Sequence, residues 1–260
     1  MDMNHIRRGE GPPLLLIHGL GSTLRSWDLI IDELTAEREV VAIDLPGFGA
    51  TPPLPGDVSI AALADALTAF MQEHDLAQAD TVGSSMGARL SLELSRRGAG
   101  GATVALAPGG FWTDAQLRWF QVTAGASIRL VRALQPVAEP LAANPVTRTA
   151  LLAQLSAAPW KLAPDLALRE LRSLADSPSF DDVFRSLVRG PRQEGAPAGT
   201  TAGPIVIGWG RQDRLLMPSQ AERATQLFPD ARLHWFERCG HFPQLDQPRE
   251  TARLVLASTG

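Results

Sequence analysis

The chain has 260 residues, a formal net charge of −4 and 45% hydrophobic residues, which fits one large globular domain with a well-buried core. Its charge balance is acidic and contains no basic run, which disfavours nucleic acid as a partner. The single cysteine, Cys239, excludes an internal disulfide and any metal site built on several thiolates. Tyrosine is absent and Lys161 is the only lysine, which disfavours chemistry based on a phenol or a Schiff base.

No segment of the sequence has the pattern of a membrane span or an export signal. The apolar run at 14–17 is far shorter than the roughly 20 residues that cross a bilayer. Charged residues precede this run, in place of the apolar centre of a signal peptide. We therefore expect a cytoplasmic protein without a membrane partner, acting as a monomer or homodimer on a small-molecule substrate.

Short apolar runs alternate along the chain with longer stretches of helical periodicity. The predicted strands cover, in order, 14–17, 40–43, 81–82, 103–106, 205–207 and 233–236. Helices are predicted after the N-cap residues Ser26 and Ser59, from 87 to 97, and at 249–257. This alternation is typical of an α/β fold with a doubly wound, mostly parallel sheet flanked by helices.

One interval interrupts the alternation. About a hundred residues between the strands at 103–106 and 205–207 show no strand pattern, and a structureless loop of that size is rare. Leucines at helical spacing, broken by prolines, predict a helical cap over 111–190, followed by a flexible return linker at 191–203. The expected organisation is a core formed by 1–110 and 191–260, with the cap inserted between its two halves.

The most specific motif is Gly-Ser-Ser-Met-Gly at 83–87, a G-x-S-x-G between a predicted strand and a predicted helix. In that context a tight turn presents the side chain of Ser85 at the carboxyl edge of the sheet. The backbone N–H of Met86 then faces the position where an oxyanion would form. The motif therefore predicts Ser85 as a nucleophile.

A serine hydroxyl needs a neighbouring base, and His241 is the best placed of the five histidines. It follows the last predicted strand and reaches the same sheet edge as Ser85. Asp213, which follows the 205–207 strand, is the predicted partner that orients the imidazole. Asp246 is the alternative, but it lies only five residues beyond His241 and better suits a local turn or cap.

These motifs, with His18-Gly19 and the turn Asp-Leu-Pro-Gly-Phe-Gly at 44–49, resemble the α/β-hydrolase superfamily, in its serine-nucleophile branch with a helical cap. The chain order Ser, Asp, His is also that of this family. The resemblance implies that the backbone N–H groups of Leu20 and Met86 form the oxyanion hole. It also implies that His18 braces the loop that carries Leu20.

The resemblance runs from about residue 14 to the C-terminus, with the cap poorly covered, and three departures stand out. Members of the family usually begin with an antiparallel strand pair, which is expected here to be missing or truncated. Ser84 stands where the family often has His or Asn before the nucleophile. After Gly87 the chain has Ala88 and Arg89 in place of a second glycine.

The function implied by the resemblance is hydrolysis of carboxylic esters of small to medium apolar substrates, without a metal or cofactor. Carbon–carbon bond hydrolases that cleave β-diketone or ring-fission products share the triad and the cap, so they remain an alternative. Cofactor-free perhydrolases and slow ligand-binding members of the family also remain open. Ser85 disfavours the relatives that attack with Asp, and Lys161 in the cap gives poor support to a hydroxynitrile lyase.

Aromatic and apolar side chains in the cap and near the predicted catalytic loops are candidates for the substrate pocket. They are Trp112, Trp119, Trp160, Leu215 and Phe242. For any single cap aromatic, packing within the cap is the simpler interpretation, but as a group they indicate an apolar substrate. Arg89 is expected to face outward or pair within the scaffold, and Cys239 to fill space beside His241.

Overall fold

The computed structural model describes residues 2–56 and 58–260. These residues form seven strands, β1 (His5–Arg8), β2 (Pro13–Ile17), β3 (Glu39–Ile43), β4 (Asp80–Ser84), β5 (Thr103–Leu106), β6 (Ile205–Gly210) and β7 (Arg232–Phe236). All seven belong to one sheet with the order β1-β3-β2-β4-β5-β6-β7. Only β1 runs antiparallel to its neighbour within this sheet of described residues. The predicted α/β fold with a mostly parallel sheet is confirmed.

Helices cover both faces of the sheet. In chain order they are α1 (Ile31–Leu34), α2 (Ile60–Glu73), α3 (Met86–Arg96), α4 (Asp114–Ala133), α5 (Ala138–Ala143), α6 (Pro145–Leu152), α7 (Pro164–Asp176), α8 (Phe180–Arg189), α9 (Ser219–Leu227), α10 (Pro243–Asp246) and α11 (Pro248–Ser258). Within the described part of the chain, no helix is both long enough and apolar enough to cross a membrane.

The apolar runs form buried strands because successive side chains alternate between the two faces of the sheet. In β2, Leu15 and Ile17 join a core cluster that also contains Leu67 of α2. The intervening Leu14 and Leu16 join a second cluster on the other face, which includes residues of α1 and α11. A strand buried on both faces needs a continuous apolar sequence, and 14–17 supplies it.

Near the N-terminus, the predicted truncation of the strand pair is confirmed, whereas the predicted helix cap at Ser26 is not. The expected strand pair is reduced to the single four-residue strand β1, which pairs with β3, and its sequence His-Ile-Arg-Arg is too short and charged to show a pattern. Ser26 does not cap a helix as predicted. Thr23 instead caps a 3-10 turn at Leu24–Trp27, accepting a hydrogen bond from the N–H of Arg25 at 3.3 Å.

Between β5 and β6 the chain forms the five helices α4 to α8, where the sequence predicts an insert over 111–190. A capping box between Thr113 and Gln116 begins α4. Apolar residues of α4 to α7 form a cluster of their own that also includes Phe242 and Leu245, from the region after β7. The helices of this segment therefore pack on the edge of the sheet where the parallel strands end.

The return segment 191–203, all of it described, consists of coil and turns. Arg89 of α3 does not face outward, since it is buried and pairs within the scaffold. Its Nη2 donates to the carbonyl of Pro191 at 2.7 Å and its Nε donates to Gln193 Oε1 at 3.3 Å. Burial lowers the pKa of Arg89 to about 10, which keeps it charged at neutral pH. The predicted flexible linker is thus anchored at its start.

The packing of α3 against β2 gives a test of the fold. A Cβ atom at Gly87 would lie 2.0 Å from the carbonyl oxygen of Ile17, so Gly87→Ala is expected to lower the free energy of unfolding by about 1–3 kcal/mol. At Gly125, in α4, an added Cβ meets no atom closer than 3.9 Å, so Gly125→Ala should be neutral or stabilise by up to about 1 kcal/mol. Urea denaturation measures both, and equal midpoints for the two variants would contradict this close packing.

Candidate active site

Ser85 occupies a strained turn between β4 and α3. Its backbone angles are φ 56° and ψ −111°, a conformation that costs energy for any residue with a Cβ. The turn is possible because its flanking residues are glycines, since a Cβ on Gly83 would lie 2.2 Å from the carbonyl oxygen of Gly87. The side chain of Ser85 is thereby presented at the carboxyl end of β4, where it lines a cavity.

Ser85, His241 and Asp213 form one hydrogen-bonded chain. His241 Nε2 lies 2.8 Å from Ser85 Oγ, and His241 Nδ1 lies 2.8 Å from Asp213 Oδ2. The side chains of His241 and Asp213 are fully buried. The structure thus brings together three residues that the sequence places after β4, β6 and β7.

The surroundings of Asp213 fix the orientation of the imidazole. Its Oδ1 accepts hydrogen bonds from the backbone N–H groups of Leu215 and Leu216, both at 2.9 Å, so Oδ2 remains for His241. A carboxylate partner requires His241 Nδ1 to be the donor. His241 Nε2 is then the free acceptor that faces the hydroxyl of Ser85.

Asp246, the alternative partner, does not contact the His241 ring. Its carboxylate accepts hydrogen bonds from the N–H groups of Gly240, at 2.7 Å, and Ala157, at 2.8 Å, and from the hydroxyl of Ser156. The N–H of His241 also donates to the carbonyl of Leu155, at 2.9 Å. Asp246 therefore ties the histidine loop to the segment after α6.

Two backbone donors lie beside Ser85. Leu20 and Met86 line the same cavity as Ser85, and their N–H groups have no hydrogen-bond acceptor among the described residues. The loop that carries Leu20 passes close to the nucleophile, since a Cβ on Gly19 would lie 3.2 Å from the Cβ of Ser85. Backbone N–H groups without an acceptor beside a serine hydroxyl are donors of the kind that can stabilise an oxyanion.

His18 uses both ring nitrogens to hold this loop. Its Nε2 accepts the N–H of Leu45 at 2.9 Å, and its Nδ1 donates to the carbonyl of Gly19 at 2.7 Å. Burial lowers the pKa of His18 to about 4, so the ring is neutral at neutral pH. Both nitrogens are engaged, so the ring connects the loop to the segment after β3 and has no nitrogen left for proton transfer.

The cavity has about 970 Å³ of empty volume, including its mouth, and its walls are mainly apolar. Three of the predicted pocket residues line it, namely Trp112, Leu215 and Phe242. Further walls that the sequence did not single out come from α4, α6 and α7, for example Ile128, Leu151 and Leu174. The helical segment between β5 and β6 therefore supplies much of the lining.

The two other predicted pocket residues lie outside the cavity, and that part of the prediction is wrong. Trp119 is 44% exposed and its Nε1 donates to the carbonyl of Arg214 at 3.0 Å. Its neighbour Phe120 faces the cavity, which turns position 119 away, because adjacent helical residues point about 100° apart. Trp160, in a 3-10 turn after α6, is 52% exposed.

The cavity contains one acidic group that the sequence analysis missed. Glu170 of α7 lines it, and the hydroxyl of Ser22 donates to Glu170 Oε2 at 3.2 Å. Burial raises the pKa of Glu170 to about 7, against an ordinary value of 4.5. The described residues that line the cavity include no arginine or lysine.

Neither Cys239 nor the one cluster of metal-type ligands in the described chain contributes to this site. Cys239 is buried, and burial raises the pKa of its thiol, so it fills space as expected. Asp2, His5 and His74 lie at the β1 edge of the sheet, with ligand atoms within 4.8 Å of one another. His5 Nδ1 is already bonded to the carbonyl of Met3, at 2.8 Å.

Comparison with known proteins places the chain in a class of enzymes. The profile of the Alpha/beta hydrolase family matches residues 14–254, so the chain belongs to this family and is a hydrolase. A 2-hydroxy-6-oxo-2,4-heptadienoate hydrolase of Pseudomonas putida is 29% identical over 95% of this chain and 88% of its own length.

Two solved structures have the same fold. A meta-cleavage product hydrolase from Pseudomonas fluorescens has a TM-score of 0.73 and 25% identity, with 98% of this chain and 93% of that chain covered. A thermophilic esterase from Thermogutta terrifontis has a TM-score of 0.76 and 18% identity, with 98% and 92% covered. The resemblance to the superfamily is confirmed, and both carbon–carbon hydrolases and an esterase occur among the similar proteins.

The raised pKa of Glu170 predicts a pH-dependent stability. Between its ordinary value of 4.5 and about 7, the folded protein keeps a proton that the unfolded chain has released, so this group lowers stability as pH rises. Glu170→Gln removes that effect, and its Tm relative to wild type should be higher at pH 8 than at pH 5.

Thermal unfolding at both pH values measures the difference. Glu139→Gln, at an exposed position of α5, is the matched control and should show no such trend. A Tm difference for Glu170→Gln that does not change with pH would contradict the desolvation of this carboxyl.

Proposed function

We propose that the protein hydrolyses carboxylic esters of small to medium apolar substrates, with Ser85, His241 and Asp213 as catalytic residues. The observation that carries the proposal is the hydrogen-bonded chain of these three side chains at an apolar cavity. Serine becomes a nucleophile when a neighbouring base accepts its proton, and the 2.8 Å contact between Ser85 Oγ and His241 Nε2 allows that transfer.

In the proposed reaction, Ser85 Oγ attacks the ester carbonyl carbon while His241 Nε2 takes the hydroxyl proton. Asp213 stabilises the imidazolium, and the N–H groups of Leu20 and Met86 hold the oxyanion. The carbon–oxygen bond to the alcohol then breaks, and His241 gives its proton to the leaving alcohol. Water attacks the acyl-Ser85 with His241 as base, which releases the acid and restores the serine.

We also propose that residues 111–190 act as a cap on a core formed by 1–110 and 191–260. Phe120 and Ile128 of α4, Leu151 of α6 and Leu174 of α7 line the cavity. These apolar walls suit an acyl or alcohol group of modest size, because burial of apolar surface stabilises the bound substrate.

Carbon–carbon bond hydrolysis is the second candidate, and the similarity to the heptadienoate hydrolase and the meta-cleavage product hydrolase favours it. The charge of the cavity favours a neutral ester. A heptadienoate carries a carboxylate, and the described lining residues include no arginine or lysine that could pair with it. The lining instead contains a second acidic group, the carboxyl of Glu170. A buried anion without a charge partner loses more hydration energy than it regains.

A comparison of substrates tests the proposal. We expect kcat/KM for p-nitrophenyl butyrate to exceed that for 2-hydroxy-6-oxo-2,4-heptadienoate by roughly tenfold or more, since the anion lacks a partner. Ser85→Ala should abolish ester turnover, with a loss of at least about 10⁴-fold in kcat. Ser84→Ala is the matched control, because the Ser84 hydroxyl accepts from Gln244 Nε2, at 3.1 Å, whereas His241 Nε2 bonds to Ser85.

Several outcomes would contradict the proposal. Faster turnover of the dienoate, still dependent on Ser85, would establish the carbon–carbon hydrolase instead. Equal losses in Ser84→Ala and Ser85→Ala would contradict Ser85 as the nucleophile. A folded wild-type protein that binds esters without turnover would identify a ligand-binding member of the family.

Substitutions of Asp213 and Asp246 distinguish the proposed catalytic aspartate from a structural one. Asp213→Asn should lower kcat by about 10⁴-fold, because the amide favours the wrong tautomer of His241. Asp246→Asn should mainly lower Tm, because it weakens the contacts to Gly240 and Ala157. Steady-state kinetics and thermal unfolding of both variants measure these effects. A larger loss of kcat in Asp246→Asn than in Asp213→Asn would reverse the assignment.

A further inference from the structure

We propose that the Glu170 carboxyl and the Ser22 hydroxyl form a polar subsite that selects esters carrying a hydroxyl remote from the scissile carbonyl. The same subsite would reject esters carrying a carboxylate at that position. This inference rests on the proposed ester hydrolase function, since it specifies the substrates of that cavity.

The placement of Glu170 on α7 is the first argument. It lies one helical turn from both Leu166 and Leu174, so the three share a face of the helix. Leu166 is buried and Leu174 lines the cavity. The half-buried side chain of Glu170 therefore lies beside apolar groups and opens into the cavity, where an entering group can reach it.

The hydrogen bonds of the carboxyl are the second argument. Ser22 occupies Oε2 of Glu170 at 3.2 Å, and no donor reaches Oε1 among the described residues. A carboxylate accepts about four hydrogen bonds, so the group retains capacity for a donor that enters the cavity. Apart from Ser85 and His241, the lining also contains the polar side chains of Ser127 and Gln154, which bond to each other at 3.2 Å.

No ion pair reaches the carboxyl of Glu170 among the described residues, although the charge of Arg169 favours its ionised form. The neighbouring Arg169 directs its Nη1 to Asp165, at 2.8 Å, and its Nη2 towards Asp28, at 3.6 Å. Arg169 is not part of the cavity lining, where the other titratable group is His241. Above its pKa of about 7 the ionised Glu170 would repel a substrate carboxylate, whereas a substrate hydroxyl would donate a hydrogen bond to it.

The position of Ser22 limits the distance between the proposed subsite and the proposed oxyanion donor. It lies two residues beyond Leu20, which carries the proposed oxyanion donor, and two residues span at most about 7 Å. An acyl chain of six carbons has a similar length, so we infer that it could extend from Leu20 towards Glu170. The same short loop would hold both ends of the substrate.

Three p-nitrophenyl esters of equal chain length test the subsite: hexanoate, 6-hydroxyhexanoate and the adipate monoester. Wild type should prefer 6-hydroxyhexanoate to hexanoate, and should prefer both to adipate by about tenfold or more in kcat/KM. Glu170→Gln keeps an acceptor and removes the charge, so it should retain the hydroxyl preference and lose most of the discrimination against adipate. Glu170→Leu removes both features and should lose both preferences. Glu139→Gln is the control and should match wild type.

Failure of the subsite and failure of the proposed function give different results. Hexanoate hydrolysis with ratios that Glu170→Gln and Glu170→Leu leave unchanged would overturn the subsite and retain the esterase. If wild type hydrolyses none of the esters, the esterase proposal fails. Calorimetric binding of 1,6-hexanediol and 1-hexanol to wild type and Glu170→Leu then decides on the subsite, and a diol preference that survives in Glu170→Leu would overturn it.

Discussion

The close approach of α3 to β2 is the constraint on which the rest of the site depends. Gly87 touches the backbone of Ile17 so closely that no side chain fits between them, and this contact fixes the start of α3 below the turn at Ser85. Because parallel strands end at the same edge of a sheet, the loops after β2, β6 and β7 converge on that turn. The strained serine, the histidine, the aspartate and two free N–H groups meet there as a consequence of strand order.

The loop that carries His241 is hydrogen-bonded to the helical segment between β5 and β6, although it follows the last strand of the sheet. Its backbone donates to Leu155, and Asp246 joins it to Ala157. The walls of the cavity and the proposed base are therefore mechanically connected, so a movement of the segment after α6 would also move His241.

Most of the strands and the three residues of the hydrogen-bonded chain could be predicted from sequence, because buried parallel strands and the turn at Ser85 require particular residues at fixed places. The catalytic roles themselves remain predictions for the experiments above. The orientation of Trp119 could not be predicted, because it depends on how α4 is rotated about its axis. Glu170 lies four residues from both Leu166 and Leu174, which indicates that it shares their helix face. Only the tertiary structure shows that this face borders a cavity.

The single short strand that replaces the N-terminal pair has a consequence for the behaviour of the protein in solution. β1 is the edge of the sheet, and an open edge is a template for pairing with another chain. Two of its four residues are arginines, and they form ion pairs with Glu39, at 2.8 Å, and Asp32, at 3.0 Å. Charged side chains on an edge strand discourage pairing with another chain. The two arginines of β1 therefore disfavour aggregation through this edge of the sheet.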